Sequence, residues 1–143
     1  MLEWCEQFET GDAELDRQHR LMVAYVNRID MIARNGHMTS EDFAYLKHFV
    51  EFLEDFFEQH FREEEACLLR HECPVYPVAR NMHQDFIAFH RRFLERLNQE
   101  RMHLGLIHDL KEFCTLWIKD HFTKTDSQLK HCLAAARQAE GKN

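Results

Sequence analysis

Glycine and proline are scarce in this chain, four and two among 143 residues. An all-β fold of this length needs many tight turns, so the scarcity argues against one. Long apolar runs are also missing: the longest span only a few residues, well short of the ~20 that a membrane helix requires. The opening segment, MLEWCEQFETGD, is acidic and has no hydrophobic stretch, so it does not read as a secretory leader. The cytoplasm is the expected compartment. Bases number 18 against 25 acids, a net charge of −7, and they form no stripe, which disfavours a nucleic-acid surface. The five cysteines (Cys5, Cys67, Cys73, Cys114, Cys132) are odd in number and contain no C-x-x-C pair. That argues against a disulfide framework and against a thiolate zinc site. The expectation is reduced thiols, mostly buried as small hydrophobes.

The chain is instead rich in histidine and phenylalanine, with eleven and twelve residues. Histidine is the commonest metal-ligating side chain, and this abundance calls for a reason.

Apolar residues recur with helical spacing almost throughout. A first helix is expected from Asp12 or Ala13 to Arg34, closed by Asn35-Gly36. A second starts at Thr39 or Ser40 and runs to about Leu69, its inner face carrying Phe43, Leu46, Phe49, Val50, Leu53, Phe57 and Phe61. The prolines of HECPVYP break it. A third helix spans about Val78 to Glu100. A fourth spans about Leu106 to Ala136, with Leu110, Phe113, Leu116, Trp117, Phe122 and Leu129 inward. Short connections between long helices favour an all-α, antiparallel up-down-up-down four-helix bundle. Residues 1–143 read as one domain, with an extended N-terminal arm over 1–12 that packs Trp4 and Phe8, and a frayed tail over 137–143.

Some polar residues sit on the inward faces. His60 and Glu64, four residues apart in QHFREEE, share one helical face beside Phe57 and Phe61. Glu63 and Glu65 are rotated about 100° to either side, nearer solvent. His121, beside Trp117, is followed five residues later by Asp126, a spacing that shares a face only if the turn is adjusted. His19 and His83 also neighbour apolar residues. Burying a histidine from each of four helices, with carboxylates beside them, is costly unless something compensates, and a metal pair is such a compensation.

These residues, in this order, resemble the hemerythrin family, specifically its single-domain bacterial members. The match covers Trp4, Phe8 and Gly11, then LDRQH ending at His19, HFREEE from His60, a proline-containing turn, HQDF from His83, and WIKDHFTKTD from Trp117. The resemblance implies two iron ions, one held by His19 and His60, the other by His83 and His121. Glu64 and Asp126 would be bridging carboxylates alongside an oxo or hydroxo bridge. It further implies O2, or another small diatomic, as the ligand. Glu65, Phe61, Phe86 and Trp117 are expected around the metals.

The third helix departs from the family pattern of two histidines four residues apart. A gap-free register puts His83 at the second of these positions and Ala79 at the first. Other registers pair His83 with Ile87, or Phe86 with His90. His90 lies roughly 10 Å from His83 along a regular helix, too far to share its iron, and reads as a histidine near the bundle end. The expected function is non-haem di-iron O2 binding without enzymatic turnover, with no nucleic-acid or membrane partner. The alternatives are a di-iron redox enzyme acting on peroxide or NO, and a degenerate bundle serving as an interaction module.

Overall fold

Asp12 starts the first helix by accepting the Leu15 backbone N–H at 2.9 Å, which satisfies one of the donors that a helix N-terminus leaves unpaired. This helix, α1 (Ala13–Arg34), ends at Asn35, and Gly36 takes a left-handed φ of +74°. Thr39 and Asp42 then cap α2 (Ser40–Arg70) reciprocally, each side chain accepting the other's backbone N–H at 3.1 Å. The next helix, α3 (Tyr76–Glu100), begins two residues earlier than expected, because Pro77 sits in its first turn, where the missing N–H costs nothing. The fourth helix, α4 (Leu104–His121), does not run on as a single α-helix. It passes through a π turn (Phe122–Asp126) into α5 (Ser127–Gly141). The structure, a computed structural model, describes residues 2–101 and 103–141, with the side chains of Glu100, Asp126, Ala139 and Glu140 outside that description.

Among the described residues the chain is all-helical and contains no strand, consistent with a four-helix bundle. Helix α1 packs on α2 and α4, and α3 packs on the same two partners. Before α1, a 3-10 turn (Glu6–Phe8) buries Phe8, whose ring meets Phe122 at 4.9 Å. Trp4 lies edge-on to both rings, at 5.8 and 6.0 Å, under the Arg20 guanidinium.

Two apolar clusters form. The larger gathers Met22, Leu46, Leu53, Phe57, Phe61, Phe86, Phe93, Leu110, Trp117 and Phe122 among others. The smaller gathers Leu15, Cys67, Leu68, Cys73, Val75, Ala79, Leu129 and Leu133. Two residues expected in the core are outside it: Leu116 is 59% exposed and Phe43 47%. Leu116 is turned about 100° away from Trp117, off the inward stripe, and Phe43 lies in the first turn of α2.

The cysteine expectation is corrected as well. Cys73 and Cys132 form a disulfide across a sequence separation of 59 residues. Pairing requires two Cα atoms brought close in space, which sequence spacing does not reveal. Cys67 and Cys114 are buried free thiols, as expected, whereas Cys5 is exposed.

Thr39→Ala removes the capping box at the end of α2 far from the polar cluster. It is expected to cost about 1 kcal/mol, or about 3 °C in Tm, in a thermal melt, with metal uptake unchanged.

Candidate metal centre

Each helix delivers one imidazole to the same point. His19 comes from α1, His60 from α2, His83 from α3, and His121 from the last residue of α4, and all four are at most 1% exposed. Glu64, one turn after His60 and 0% exposed, is the carboxylate they share. Its Oε2 lies 3.1 Å from His19 Nε2 and 3.2 Å from His60 Nε2. Its Oε1 lies 3.0 Å from His121 Nε2 and 3.3 Å from His83 Nε2. The two nearest rings, His19 and His60, approach Nε2 to Nε2 at 3.1 Å. Ligand atoms of His19, His60, Glu64 and His121 all fall within 4.8 Å of one another, a group able to hold a metal ion.

The outward nitrogens explain why Nε2 faces inward. Gln18 is buried beside His19, and both of its amide hydrogens are engaged, by Glu63 at 2.5 Å and Glu14 at 3.2 Å. Its Oε1 therefore accepts from His60 Nδ1, at 2.5 Å. Thr125 donates its only hydroxyl hydrogen to the His121 carbonyl. Its oxygen therefore accepts from His121 Nδ1, at 3.0 Å. Glu65 Oε2 lies 3.4 Å from His83 Nδ1. For His60 and His121 the outer nitrogen keeps its hydrogen and the inner Nε2 keeps its lone pair, the tautomer a metal ligand requires. Flat stacking fixes the ring planes: His83 lies on Phe61 at 4.0 Å and 7°, His121 on Trp117 at 4.7 Å and 15°. The Trp117 indole N–H is tied to the Met82 carbonyl at 3.0 Å.

This donor set fits a cation. Glu64 Oε1 and both ring nitrogens of His83 are buried without a hydrogen bond, although their neighbours are 3.0 to 3.4 Å away. Lone pairs gathered this closely in a dry site repel, and a positive ion between them removes the penalty. Burial pushes the His60 and His121 rings down to about 4. Burial would raise the Glu64 carboxyl, but the surrounding imidazoles, His121 foremost and then His19 and His60, hold it well below the usual range. Burial disfavours a proton on His83, yet Glu64 and Glu65 outweigh it and shift that ring upward. At neutral pH, His60 and His121 are therefore neutral and Glu64 is ionised, the protonation that metal binding needs.

Of the residues anticipated from sequence, His19, His60, Glu64, His83 and His121 come together, with Phe61, Phe86, Trp117 and Glu65 around them. Phe86 packs on Phe57 at 4.2 Å and on Trp117 at 4.8 Å. Asp126 closes the π turn, whose i→i+5 pattern suits its spacing from His121, but its side chain lies outside the described residues. Ala79 is 0% exposed and belongs to the smaller apolar cluster. His90 is buried elsewhere, its Nε2 3.3 Å from the Val50 carbonyl. Glu63 is not simply solvated: it accepts from Gln18 at 2.5 Å and from Gln59 at 3.2 Å. Gln18 and Thr125 were missed in the sequence, although each adjoins a candidate ligand on a helical face: Gln18 precedes His19, and Thr125 follows His121 by four residues.

Two outcomes follow from this geometry. Gln18→Ala leaves His60 Nδ1 without its acceptor and should weaken metal binding roughly 10- to 100-fold, measured by competition with a chelator. For the metal-free protein, the folded His60 and His121 sit near 4 against 6.5 when unfolded, so the unfolded chain binds more protons between those values. Their contribution to stability is complete above pH 6.5 and is lost as pH falls towards 4, on the order of a few kcal/mol in all. Melts across this window should show a steep decline that flattens in His60→Gln.

The comparisons agree with the geometry. A comparison with curated proteins finds no match. The family model described as hemerythrin HHE cation binding domain matches residues 10–133, a span that includes every candidate ligand from His19 to Asp126. With four histidines and a glutamate converging inside a helical bundle, the chain belongs to the hemerythrin HHE cation-binding family.

Proposed function

We propose that the chain holds two iron ions in this cluster and binds O2 there, for storage, delivery or sensing. The observation that carries the reading is the convergence of four Nε2 atoms from four helices on one buried carboxylate. His19 and His60 would hold one iron and His83 and His121 the other, with Glu64 and Asp126 as the carboxylate ligands. Iron supplies the reversible electron donation to O2 that no side chain offers.

The protein's own part is to orient, neutralise and dry the site. Gln18 and Thr125 fix the tautomers of His60 and His121, and Glu65 lies beside His83 Nδ1. Phe57, Phe61, Phe86 and Trp117 form an apolar wall on one side, suited to a small nonpolar ligand and poorly suited to charged substrates. Histidine with carboxylate, and no thiolate among the close ligands, suits iron rather than a soft metal. We take residues 1–143 as a single cytoplasmic domain, with the Trp4–Phe8 segment as an arm laid on the bundle.

An up-down-up-down path is supported by the order in which each helix meets the two apolar clusters. Helix α1 passes from Leu15 of the smaller cluster through His19 to Met22 of the larger, and α3 from Ala79 through His83 to Phe86. Helix α2 runs the other way, from Phe57 through His60 and Glu64 to Cys67. The last helix goes from Trp117 through His121 to Leu129.

Ala79 stands where the family carries a further histidine, and aliphatic side chains fill its surroundings. The chain therefore offers two histidines per iron, which leaves room for an exogenous ligand on the His83 side.

Reconstitution with ferrous iron under nitrogen, then admission of air, tests the reading. The expected result is close to two irons per chain and a visible charge-transfer band that rises in air and falls on deoxygenation. Less than one metal per chain would sink the proposal. Catalytic consumption of peroxide or NO without a reversible band would move it to the redox-enzyme reading. Glu64→Gln should abolish iron retention while leaving a folded bundle by circular dichroism. Ala79→His should tighten iron binding and slow irreversible oxidation, provided Leu129 and Leu133 yield space; unchanged iron affinity in a folded variant counts against the two-histidine assignment.

A further inference from the structure

We propose that the Cys73–Cys132 bridge is a reversible thiol–disulfide exchange site for a dithiol reductant, and that its state governs how firmly the α3 and α5 sides of the metal cluster are held. The second half of this statement rests on the metal-binding reading above.

The two sulfurs differ in access. Cys132 is partly exposed and lines an open surface groove with His71, Pro74, Val75, His131 and Ala135. Cys73 is 4% exposed, inside the smaller apolar cluster. An incoming thiolate therefore reaches Cys132 Sγ. Both cluster-side free thiols are poor rivals for internal exchange. Burial pushes Cys114 up to about 12, and burial together with the Asp12 and Glu64 charges raises Cys67.

The exchange balances without any further reactant. One thiolate of the dithiol attacks Cys132 Sγ and forms a mixed disulfide. The Cys73–Cys132 bond breaks, and Cys73 leaves with the electron pair and takes up the proton that the attacking thiol gave up. The second thiol of the reductant then attacks the mixed disulfide and releases Cys132 as a thiol. The protein disulfide has gained two electrons and two protons, and the dithiol has become a disulfide.

Opening the bridge acts on the site through two short routes. Cys73 lies in the turn that leads into α3, on which Ala79 and His83 follow one another on one face. The preceding residue, Glu72, is held at a left-handed φ of +52°, unfavourable for a residue with a Cβ, so the turn has reason to relax once untied. Cys132 lies on α5, which is continuous through the π turn with Thr125, the hydrogen-bond partner of His121. The bridge thus fastens together the two elements that present His83 and His121. When it opens, the closure constraint on the 59-residue separation between them disappears.

The test uses the air-purified, iron-loaded full chain and dithiothreitol without denaturant. Alkylation counted by mass spectrometry should find three reactive cysteines before treatment, after mild unfolding in the alkylating agent, and five afterwards. Hydrogen exchange should accelerate in residues 71–79 and 122–138. Transfer of iron to a chelator should become several-fold faster, and reoxidation should restore all three readings. The double variant Cys73→Ser with Cys132→Ser should match the reduced protein and ignore the dithiol, which separates bridge opening from any effect of the reductant on iron. Five free thiols in the air-purified chain, a bridge that opens only in denaturant, or an opened bridge that leaves exchange and iron loss unchanged would each overturn the proposal. A chain that takes up no iron would defeat the O2 reading, while thiol count and hydrogen exchange would still decide the exchange site.

Discussion

Glu64 is a carboxylate without solvent, and its surroundings can be read as the answer to that problem. An ionised group in an apolar interior is tolerated only when its oxygens are met by donors or by a cation. Here every helix of the bundle sends an imidazole to it. Those imidazoles are themselves expensive to bury, and three of them have support from behind: Gln18 for His60, Thr125 for His121, Glu65 and Phe61 around His83. The polar network thus reaches outward in steps until it meets groups that solvent can stabilise, such as the half-exposed Glu63 and the exposed Glu14. Removing Glu64 while leaving the rings would strip the network of its centre.

How much of this was legible in the sequence depended on whether the signal was local. The pair His60 and Glu64 is four residues apart on a helix with apolar neighbours, and helical geometry alone places both inward. His19, His83 and His121 could be singled out as histidines on apolar faces, but their meeting point required the family resemblance. Gln18 went unnoticed because a glutamine beside a charged run looks solvated until a second helix brings His60 to it. The Cys73–Cys132 pairing was misread for the same reason: nothing within either segment announces the other. The π turn was half visible. The spacing of five between His121 and Asp126 did not fit an α-helical face, and the backbone accommodates that misfit with a π turn.

Ala79 shows why an absent ligand need not leave a void. It is fully buried among Leu15, Cys67, Leu68, Val75, Leu129 and Leu133. A histidine could occupy such a place only with a polar partner for each ring nitrogen. An alanine asks for none, and aliphatic chains close over it. On the two-histidine reading proposed above, hydrophobic packing stands in place of a nitrogen donor on this side of the cluster. Apolar contact consequently holds much of this side of the site.

That exchange clarifies why the smaller apolar cluster matters to the chemistry. The polar layer lies between residues of two apolar clusters along each helix, and the larger one combines aliphatic side chains, several from α1, with aromatic ones of α2, α3 and α4. The smaller one has mostly aliphatic and sulfur-containing side chains and draws on α1, α2, α3, α5 and the turn before α3. Eight buried residues offer limited hydrophobic stabilisation to fix that many segments. A covalent link between the turn and α5 therefore supplies order that packing alone provides less of there. Firm ligand geometry on the His83 side depends on this small cluster remaining closed. In this fold, then, the positions of the second pair of histidines are tied to the state of two cysteines that lie outside the metal layer.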